Sequence, residues 1–308
     1  MAIDLTNVLV IGVSSRALFD LEEENLIFEQ KGIKEYRKHQ LETEDIPLKP
    51  GSAFYLIKNI LGLNQISKNK IFEVVIMSKN SPETGMRILN SLRNYKLDIT
   101  RMAMTGGEPL NANLIDAFSI DLFLSKNEAD VQMVIDKNLC AAATIFPNPL
   151  NYQNIDNRVK IAFDADAVLF SEESEFRYKT EGMESFHQFE REHENEPLRE
   201  GPFASLIKKL SKIQSELPTS IELSQLRIAI VTARNAPSHL RVIKTLRKWG
   251  VYVDEVYFLG GLSKHKVLQS FGAQIFFDDQ VTHLNDTCRW IPSGQVPYSS
   301  SSPLRKIV

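Results

Sequence analysis

Ile161-Ala-Phe-Asp164-Ala-Asp166-Ala-Val-Leu-Phe170 decides how the rest of the chain is read. An apolar run with the character of a buried parallel strand closes on two carboxylates one residue apart. Two carboxylates at a strand end are costly to desolvate together unless a cation sits between them. Ligands of open α/β sheets bind at the carboxyl ends of the strands. The pattern points to Mg²⁺-assisted phosphoryl transfer in which one aspartate is the nucleophile. The plainer alternative is a solvated Asp-x-Asp at an ordinary strand-to-loop junction.

Three further strand ends lie downstream. Ile228-Ala-Ile-Val-Thr232-Ala233-Arg234-Asn235 ends in a hydroxyl before a helical pattern. A hydroxyl with free N–H groups at a helix start makes a phosphate cradle, although threonine also caps helices routinely. Phe258-Leu-Gly-Gly-Leu-Ser-Lys264 places a lysine after a glycine turn. Such a lysine can set a point charge on a phosphoryl group, or simply be solvated. Its spacing does not fit a Walker A loop. Gln274-Ile-Phe-Phe-Asp278-Asp279 closes a strand on two adjacent carboxylates. Mg²⁺ prefers such oxygen ligands and keeps several waters. Each element is ambiguous alone; the order DxD, Thr, Lys, DD within one domain is hard to assign to coincidence.

The chain repeats itself. Glu42-Thr-Glu-Asp-Ile-Pro-Leu-Lys-Pro-Gly51 lines up with Glu192-His-Glu-Asn-Glu-Pro-Leu-Arg-Glu-Gly201, 150 residues on. Met86–Tyr95 matches Leu240–Trp249 at a spacing of 154, and Phe118–Leu124 matches Phe271–Phe277 at 153. Three matches in register indicate an internal duplication of an α/β unit. The strand-like runs Val8–Val13, Phe72–Met77, Leu122–Leu124, Lys160–Phe163, Arg227–Val231 and Gln274–Phe277 alternate with helical patterns, the rhythm of βαβ units. The expected division is a degenerate copy over residues 1–146, a Pro- and Asn-rich linker over 147–158, a catalytic copy over 159–292 and a tail of loop or disorder over 293–308. In this alignment Val13 and Ser15 stand opposite Asp164 and Asp166. Ser78 stands opposite Thr232, Leu110 opposite Lys264, and Ser125-Lys126 opposite Asp278-Asp279. Metal-dependent chemistry is therefore expected in the second copy alone.

The order of strand ends resembles the haloacid dehalogenase superfamily of phosphohydrolases. Phe163–Glu175, His193-Glu-Asn-Glu-Pro-Leu198, Val231-Thr-Ala-Arg234 and Ile275-Phe-Phe-Asp-Asp-Gln280 look like the cytosolic 5′-nucleotidase I family, as do Val13-Ser-Ser-Arg-Ala-Leu-Phe19 and Met104-Thr-Gly-Gly107. The similarity covers about residues 6–300. The chain departs from the family in Ala165, where Phe-Asp-Gly-Asp is usual, and in Ser263-Lys264-His265, where Pro-Lys-Gly is frequent. The resemblance implies duplicated Rossmann-like, haloacid dehalogenase-type parallel sheets, with a small cap inserted at about 171–201. It implies hydrolysis of nucleoside 5′-monophosphates, with Asp164 as nucleophile and Asp166 as general acid and then base. Mg²⁺ would be held by Asp164, the Asp166 backbone carbonyl and Asp279, with Asp278 in support. Thr232, Ala233 and Lys264 would hold the phosphoryl oxygens.

Substrate selection falls to weaker candidates. Phe176 and Tyr178 in the cap segment can stack on a base, and Phe186 and Phe189 read equally as the buried stripe of a cap helix. His193 and Asn195 face ligand or form a structural corner. Arg234 is a phosphate or ribose contact, or a surface ion pair. In the first copy, Ser14-Ser15-Arg16, Ser78-Lys79-Asn80 and Thr105-Gly106-Gly107 keep a small polar rim able to bind an anion without metal. The resemblance implies an effector site there, at Ser15, Arg16, Gly106 and Gly107; the alternative is a purely structural half.

Composition limits the remaining possibilities. The 308 residues are 43% apolar and 24% charged, as in a soluble globular protein. A formal charge of −3 gives no electrostatic reason to expect nucleic acid or an anionic membrane as partner. Apolar stretches fall well short of the roughly 20 residues a bilayer requires. No basic residue precedes Arg16, which argues against a signal peptide, and Cys140 and Cys288 make no disulfide framework. These bounds fit a cytoplasmic protein, and they neither require nor exclude a homo-oligomer. Two other readings stay open: a phosphatase of another small phosphomonoester such as a sugar phosphate, and a nucleotide-sensing protein that binds without turnover.

Overall fold

The computed structural model describes residues 5–150, 152–154, 156–217 and 224–307. In chain order the strands are β1 (Leu9–Ser14), β2 (Phe19–Asp20), β3 (Lys49–Pro50), β4 (Phe72–Ser78), β5 (Arg101–Met104) and β6 (Leu122–Ser125). They continue with β7 (Ala141–Ile145), β8 (Val159–Phe163), β9 (Leu226–Thr232), β10 (Glu255–Phe258), β11 (Ile275–Asp278) and β12 (Ser293–Gln295). β2 and β3 form a small antiparallel ribbon. The other ten make one sheet in the order β10-β9-β8-β11-β12-β7-β6-β1-β4-β5. Helices cover both faces, which is why β1, β4, β8 and β9 are near-continuous apolar runs.

The strand order on either side of the β12–β7 seam is the same, read outward. All pairs within each half are parallel, and the seam, with Gly294 opposite Ile145, is antiparallel. The strands of the two halves therefore end at opposite edges of the sheet. On one face a single apolar cluster runs through both halves, taking in Leu9, Ile11 and Val13 of β1 and Val159, Ile161 and Phe163 of β8. The alternate residues Val10 and Ala162 point to the other face, into a separate cluster for each half. The sequence patterns located six strands closely; the joining of the halves into one sheet was not among the expectations.

The ladder corrects one part of the sequence alignment. Val13 lies opposite Ile76 in β4, and Phe163 lies opposite Ile230 in β9. Ile76 and Ile230 are equivalent at the spacing of 154, so Asp164 takes the place of Ser14 and Asp166 that of Arg16. Val13 and Ser15 are displaced by one. The extra residue of the second half is absorbed in the irregular turn Ala165–Leu169, where Ala167 has φ 57°. Ala167, not Ala165, carries the left-handed backbone, so the alanine between the two aspartates brings no such strain.

Each half also carries a long helix after its first strand. Glu173–Glu192 breaks at Gly182 (φ 84°), and Glu22–Glu42 breaks at Gly32 (φ 79°), 150 residues earlier. The chain then returns under the turn that follows the strand. A Cβ on Gly201 would lie 2.3 Å from the Phe170 carbonyl oxygen, and one on Gly51 would lie 2.8 Å from the Ala17 oxygen. Those contacts explain why both copies of the repeat end in glycine.

The terminal segment differs from expectation. Residues 293–308 were expected as loop or disorder, but Ser293–Gln295 is the central strand β12, and Pro303–Lys306 forms a 3₁₀ turn. The intervening loop is tied to helix Glu128–Asp136. Gln132 donates to the Tyr298 carbonyl, and Asp136 accepts from the Ser300 N–H and hydroxyl. Ser-rich composition suggested disorder; hydrogen bonds to a packed helix override it. Among the described residues no helix is long and apolar enough to cross a membrane.

Candidate active site

β8 and β11 are neighbours, with Phe163 opposite Phe277. The next residue of each strand is thereby brought to the same edge. The Asp164 N–H donates to the Phe277 carbonyl at 2.8 Å, which fixes Asp164 beside Asp278. Carboxylate oxygens of Asp164, Asp278 and Asp279 lie within 4.8 Å of one another, and all three residues are buried. Lys264 reaches into this group from the turn after β10. Its Nζ is 3.0 Å from Asp164 Oδ1 and 2.7 Å from Asp278 Oδ2. Thr232 closes β9, and its buried Oγ1 accepts from the Arg234 N–H at 3.2 Å. The structure thus gathers Asp164, Asp278, Asp279 and Lys264 directly, with Thr232 at the adjacent strand end.

One lysine does not balance three buried carboxylates. Burial pushes the Asp164 carboxyl up to about 7; Lys264 opposes this, and the charges of Asp278 and Asp166 reinforce it. Burial also raises Asp279, and the neighbouring charges of Asp278 and Asp164 add to it. Asp278 is the exception. Burial acts on it too, but Lys264 and His283 outweigh it and hold the group down at about 2. Asp278 is also well satisfied, accepting from Lys264 and from the Gln280 N–H at 2.8 Å. Asp279 accepts from the Tyr298 hydroxyl through Oδ2, while its buried Oδ1 has no hydrogen-bond partner among the described residues. An unsatisfied buried carboxylate oxygen is costly. An all-oxygen set with surplus negative charge suits a hard divalent cation.

Asp166 is not in this cluster. Both its oxygens are held by Arg234, Nε to Oδ2 at 2.7 Å and Nη2 to Oδ1 at 2.6 Å. Arg234 is itself buried, and its Nη1 donates to Glu190 at 2.7 Å. Arg241 and Ser174 donate to the other oxygen of Glu190 at 3.0 Å each. Arg234 is therefore the centre of a buried network, not a surface ion pair. Burial lowers the pKa of its guanidinium, but the carboxylates of Asp166 and Glu190 outweigh that and raise it.

The cap residues divide. Phe186 is buried under the Arg234 guanidinium, 5.4 Å from its carbon, and Tyr178 meets Phe186 edge-on at 6.3 Å with its own ring exposed. Phe176 is half-buried on the same helix. The His193 ring lies 4.1 Å from the Phe189 ring, tilted by 33°, and His193 bonds the Phe189 carbonyl through Nδ1, while Asn195 accepts from Lys244 at 2.9 Å. Those last contacts belong to the corner that ends the cap helix. Sequence reasoning did not single out Glu190, Tyr298, Arg241, His283 or Glu175. Glu175 accepts from Gln280, beside the aspartates; burial raises its carboxyl, with the Asp166 charge adding to the effect. The one available signal was the equal spacing of Arg87 and Arg241, whose Nε atoms bond Ile46 and Glu196 carbonyls at matching places in the repeat.

In the first half, Ser15, Arg16, Gly106 and Gly107 line a cavity of about 480 Å³ at the ends of β1, β4 and β6. The N–H groups of Gly106 and Gly107 already donate to the Asn80 and Lys79 carbonyls, so the glycine turn does not offer these amides as an anion nest.

A family model described as 5′-nucleotidase matches residues 1–303. Human cytosolic 5′-nucleotidase 1B is 35% identical over 293 residues, which is 92% of this chain and 48% of the human protein. The chain thus spans about half the length of that relative. A carboxylate-lined strand edge, within a chain that matches the family model over nearly its whole length, leaves one conclusion: the chain belongs to the 5′-nucleotidase family.

Proposed function

We propose that the protein hydrolyses nucleoside 5′-monophosphates to nucleoside and phosphate, using Mg²⁺ and an aspartyl-phosphate intermediate. The observation that carries this reading is the buried carboxylate trio around Lys264, with one orphaned oxygen on Asp279. In this reading Asp164, Asp279 and the Asp166 carbonyl would hold Mg²⁺. Asp279 is preferred to Asp278 as direct ligand because Asp278 is already occupied by Lys264 and Gln280. Bound there, the ion supplies charge that lets an anionic phosphate approach a carboxylate.

Asp164 attacks phosphorus, forming an O–P bond as the bond to the 5′-oxygen breaks. Asp166 gives its proton to the departing oxygen. It then takes a proton from the water that attacks the aspartyl-phosphate, and the Asp164–phosphorus bond breaks to release inorganic phosphate. Lys264, Thr232 and the Ala233 N–H position the phosphoryl oxygens. Both oxygens of Asp166 are occupied as acceptors by Arg234, at 2.7 and 2.6 Å, which leaves neither free to carry a proton to the leaving oxygen. Asp166 therefore acts as acid after Arg234 has let go of at least one oxygen, and the substrate phosphate or ribose is the natural new partner for the guanidinium. Exposed Tyr178, with Phe176, offers ring surface for the base.

The same reading treats the chain as a duplicated haloacid dehalogenase-type unit, with residues 159–292 catalytic and 171–201 as its cap. The shared strand order of the halves supports it. A cytoplasmic setting follows from the relative's name and is part of the proposal. The deciding experiment is a phosphatase panel of nucleoside monophosphates and sugar phosphates, with and without Mg²⁺. Mg²⁺-dependent release of phosphate from nucleotides supports the reading. Preference for sugar phosphates replaces the substrate class, and nucleotide binding without turnover on any substrate replaces the enzyme with a sensor.

A further inference from the structure

Of the three gathered carboxylates, Asp279 is the one least fixed by the sheet. The ladder between β8 and β11 ends at Phe277, and β12 accompanies β11 only as far as Asp278. Asp164 is pinned by its N–H to Phe277 and by Lys264, and Asp278 by Lys264 and the Gln280 N–H. Asp279 lies one residue past the pairing. Among the described residues its carboxylate takes one hydrogen bond, from the Tyr298 hydroxyl to Oδ2, and Oδ1 is left buried without a partner. A carboxylate rotates about its side-chain bonds unless a donor holds it. The Tyr298 hydroxyl is that donor, and it leaves Oδ1 available.

Tyr298 is held in turn from the other half of the molecule. The loop after β12 starts at the aspartates, where the Val296 N–H donates to the Asp278 carbonyl at 2.9 Å. It then crosses to helix Glu128–Asp136. Gln132 donates to the Tyr298 carbonyl at 3.0 Å, and Asp136 accepts from the Ser300 N–H at 2.7 Å and its hydroxyl at 2.6 Å. Ser302 finally reaches Glu172, at the start of the cap helix, at 2.5 Å. The loop is a strap that joins a carboxylate of the site to the first half and to the cap. Asp136 closes its own helix, where a negative charge faces the negative end of the helix dipole and is disfavoured. The helix gains nothing from it there; the two donors of Ser300 account for it. Partners outside the ligand shell orient metal ligands and raise affinity, and a strap fastened beforehand meets the ordering cost before the ion arrives.

We infer that Tyr298 is a positioning residue for Asp279, and that Asp136 of the first half holds Tyr298 in place through Ser300. The first half then serves the metal centre while supplying no ligand to it. This inference rests on the reading of the carboxylate trio as a divalent-cation site.

The test titrates Mn²⁺ into the full chain without substrate and counts the free ion by electron paramagnetic resonance. Tyr298→Phe should raise the Mn²⁺ Kd about tenfold, the lower end for losing a partner of a metal ligand. Asp136→Ala, at an exposed position, should raise it about threefold, the scale of a solvent-accessible hydrogen bond. Asp136→Asn, which keeps an acceptor oxygen, should recover part of that loss. A strap that only stabilises the fold lowers the urea midpoint and leaves the Mn²⁺ Kd of the folded protein unchanged. An unchanged Kd in Tyr298→Phe overturns the positioning role, and an unchanged Kd in Asp136→Ala overturns the part assigned to the first half. If Tyr298→Phe fails to fold, Asp136→Ala decides. A wild-type chain that binds no Mn²⁺ overturns the metal reading itself and this inference with it, whereas binding that ignores both substitutions overturns this inference alone.

Discussion

Arg234 grips Asp166 by both carboxylate oxygens, at 2.7 and 2.6 Å, while its third nitrogen holds the fully buried Glu190. One side chain thereby links the turn after β8 to the cap helix. Removing one member of a buried ionic network is strongly destabilising, since it leaves a charge unmatched. Arg234→Ala should cost about 3 kcal/mol of stability by urea unfolding. Adding Glu190→Gln should recover part of that loss, because less buried charge is then left uncompensated. A double variant less stable by the sum of the two single losses would remove the coupling.

Asp164→Asn should abolish phosphate release from AMP while leaving the urea midpoint near that of the wild type. The change keeps the shape and removes the nucleophile. Residual activity within about tenfold of wild type, a loss of only about 1.4 kcal/mol in barrier, would sink the assignment.

Asp166→Asn should harm AMP hydrolysis far more than hydrolysis of an activated aryl phosphate. A nucleoside alkoxide needs a proton to leave, and a nitrophenolate does not. Equal losses on the two substrates would argue that Asp166 is not the acid.

Metal dependence should separate the adjacent aspartates. EDTA should stop hydrolysis and Mg²⁺ restore it. Asp279→Ala should raise the Mg²⁺ concentration for half-activity more than Asp278→Ala does, since the orphaned oxygen is on Asp279. Tyr298→Phe, which removes the hydroxyl bonded to Asp279 Oδ2, should shift the same midpoint by a smaller factor. If Asp278→Ala gives the larger shift, the direct ligand is Asp278.

Gly201→Ala should destabilise the protein by about 1–3 kcal/mol, the range for forcing extra atoms into a close-packed site. The added Cβ would lie 2.3 Å from a backbone oxygen that cannot rotate away. A thermal-melt comparison with Gly62→Ala, whose Cβ meets nothing within 4 Å, provides the control.

The strand ends were legible because each is local: an apolar run followed at once by Asp, Thr or a carboxylate pair leaves its mark within ten residues. Lys264 was found the same way, from a glycine turn. Glu190 and Tyr298 were not, because each meets its partner across a distance that no periodicity records. Glu190 is 44 residues from Arg234, and Tyr298 is 19 from Asp279. The one-residue error opposite Asp164 has a similar origin. Sequence alignment carried the spacing of the downstream segment back through the turn Ala165–Leu169, and only the ladder reveals where the extra residue was absorbed. The seam between β7 and β12 was hidden for a different reason. Strand partners so far apart in the chain are chosen by closure of the whole sheet, and the short Ser293–Gln295 run has no strand pattern of its own.

The antiparallel seam gives a single chain the anatomy of a two-fold dimer, with two equivalent sets of strand ends at opposite edges of one sheet. In a true homodimer every substitution appears twice, and the two edges stay alike. Fused halves are released from that bond, and each can drift alone. Asp166 in the place of Arg16, and Asp279 in the place of Lys126, are the record of that freedom: at equivalent strand ends one half carries carboxylates where the other carries cations.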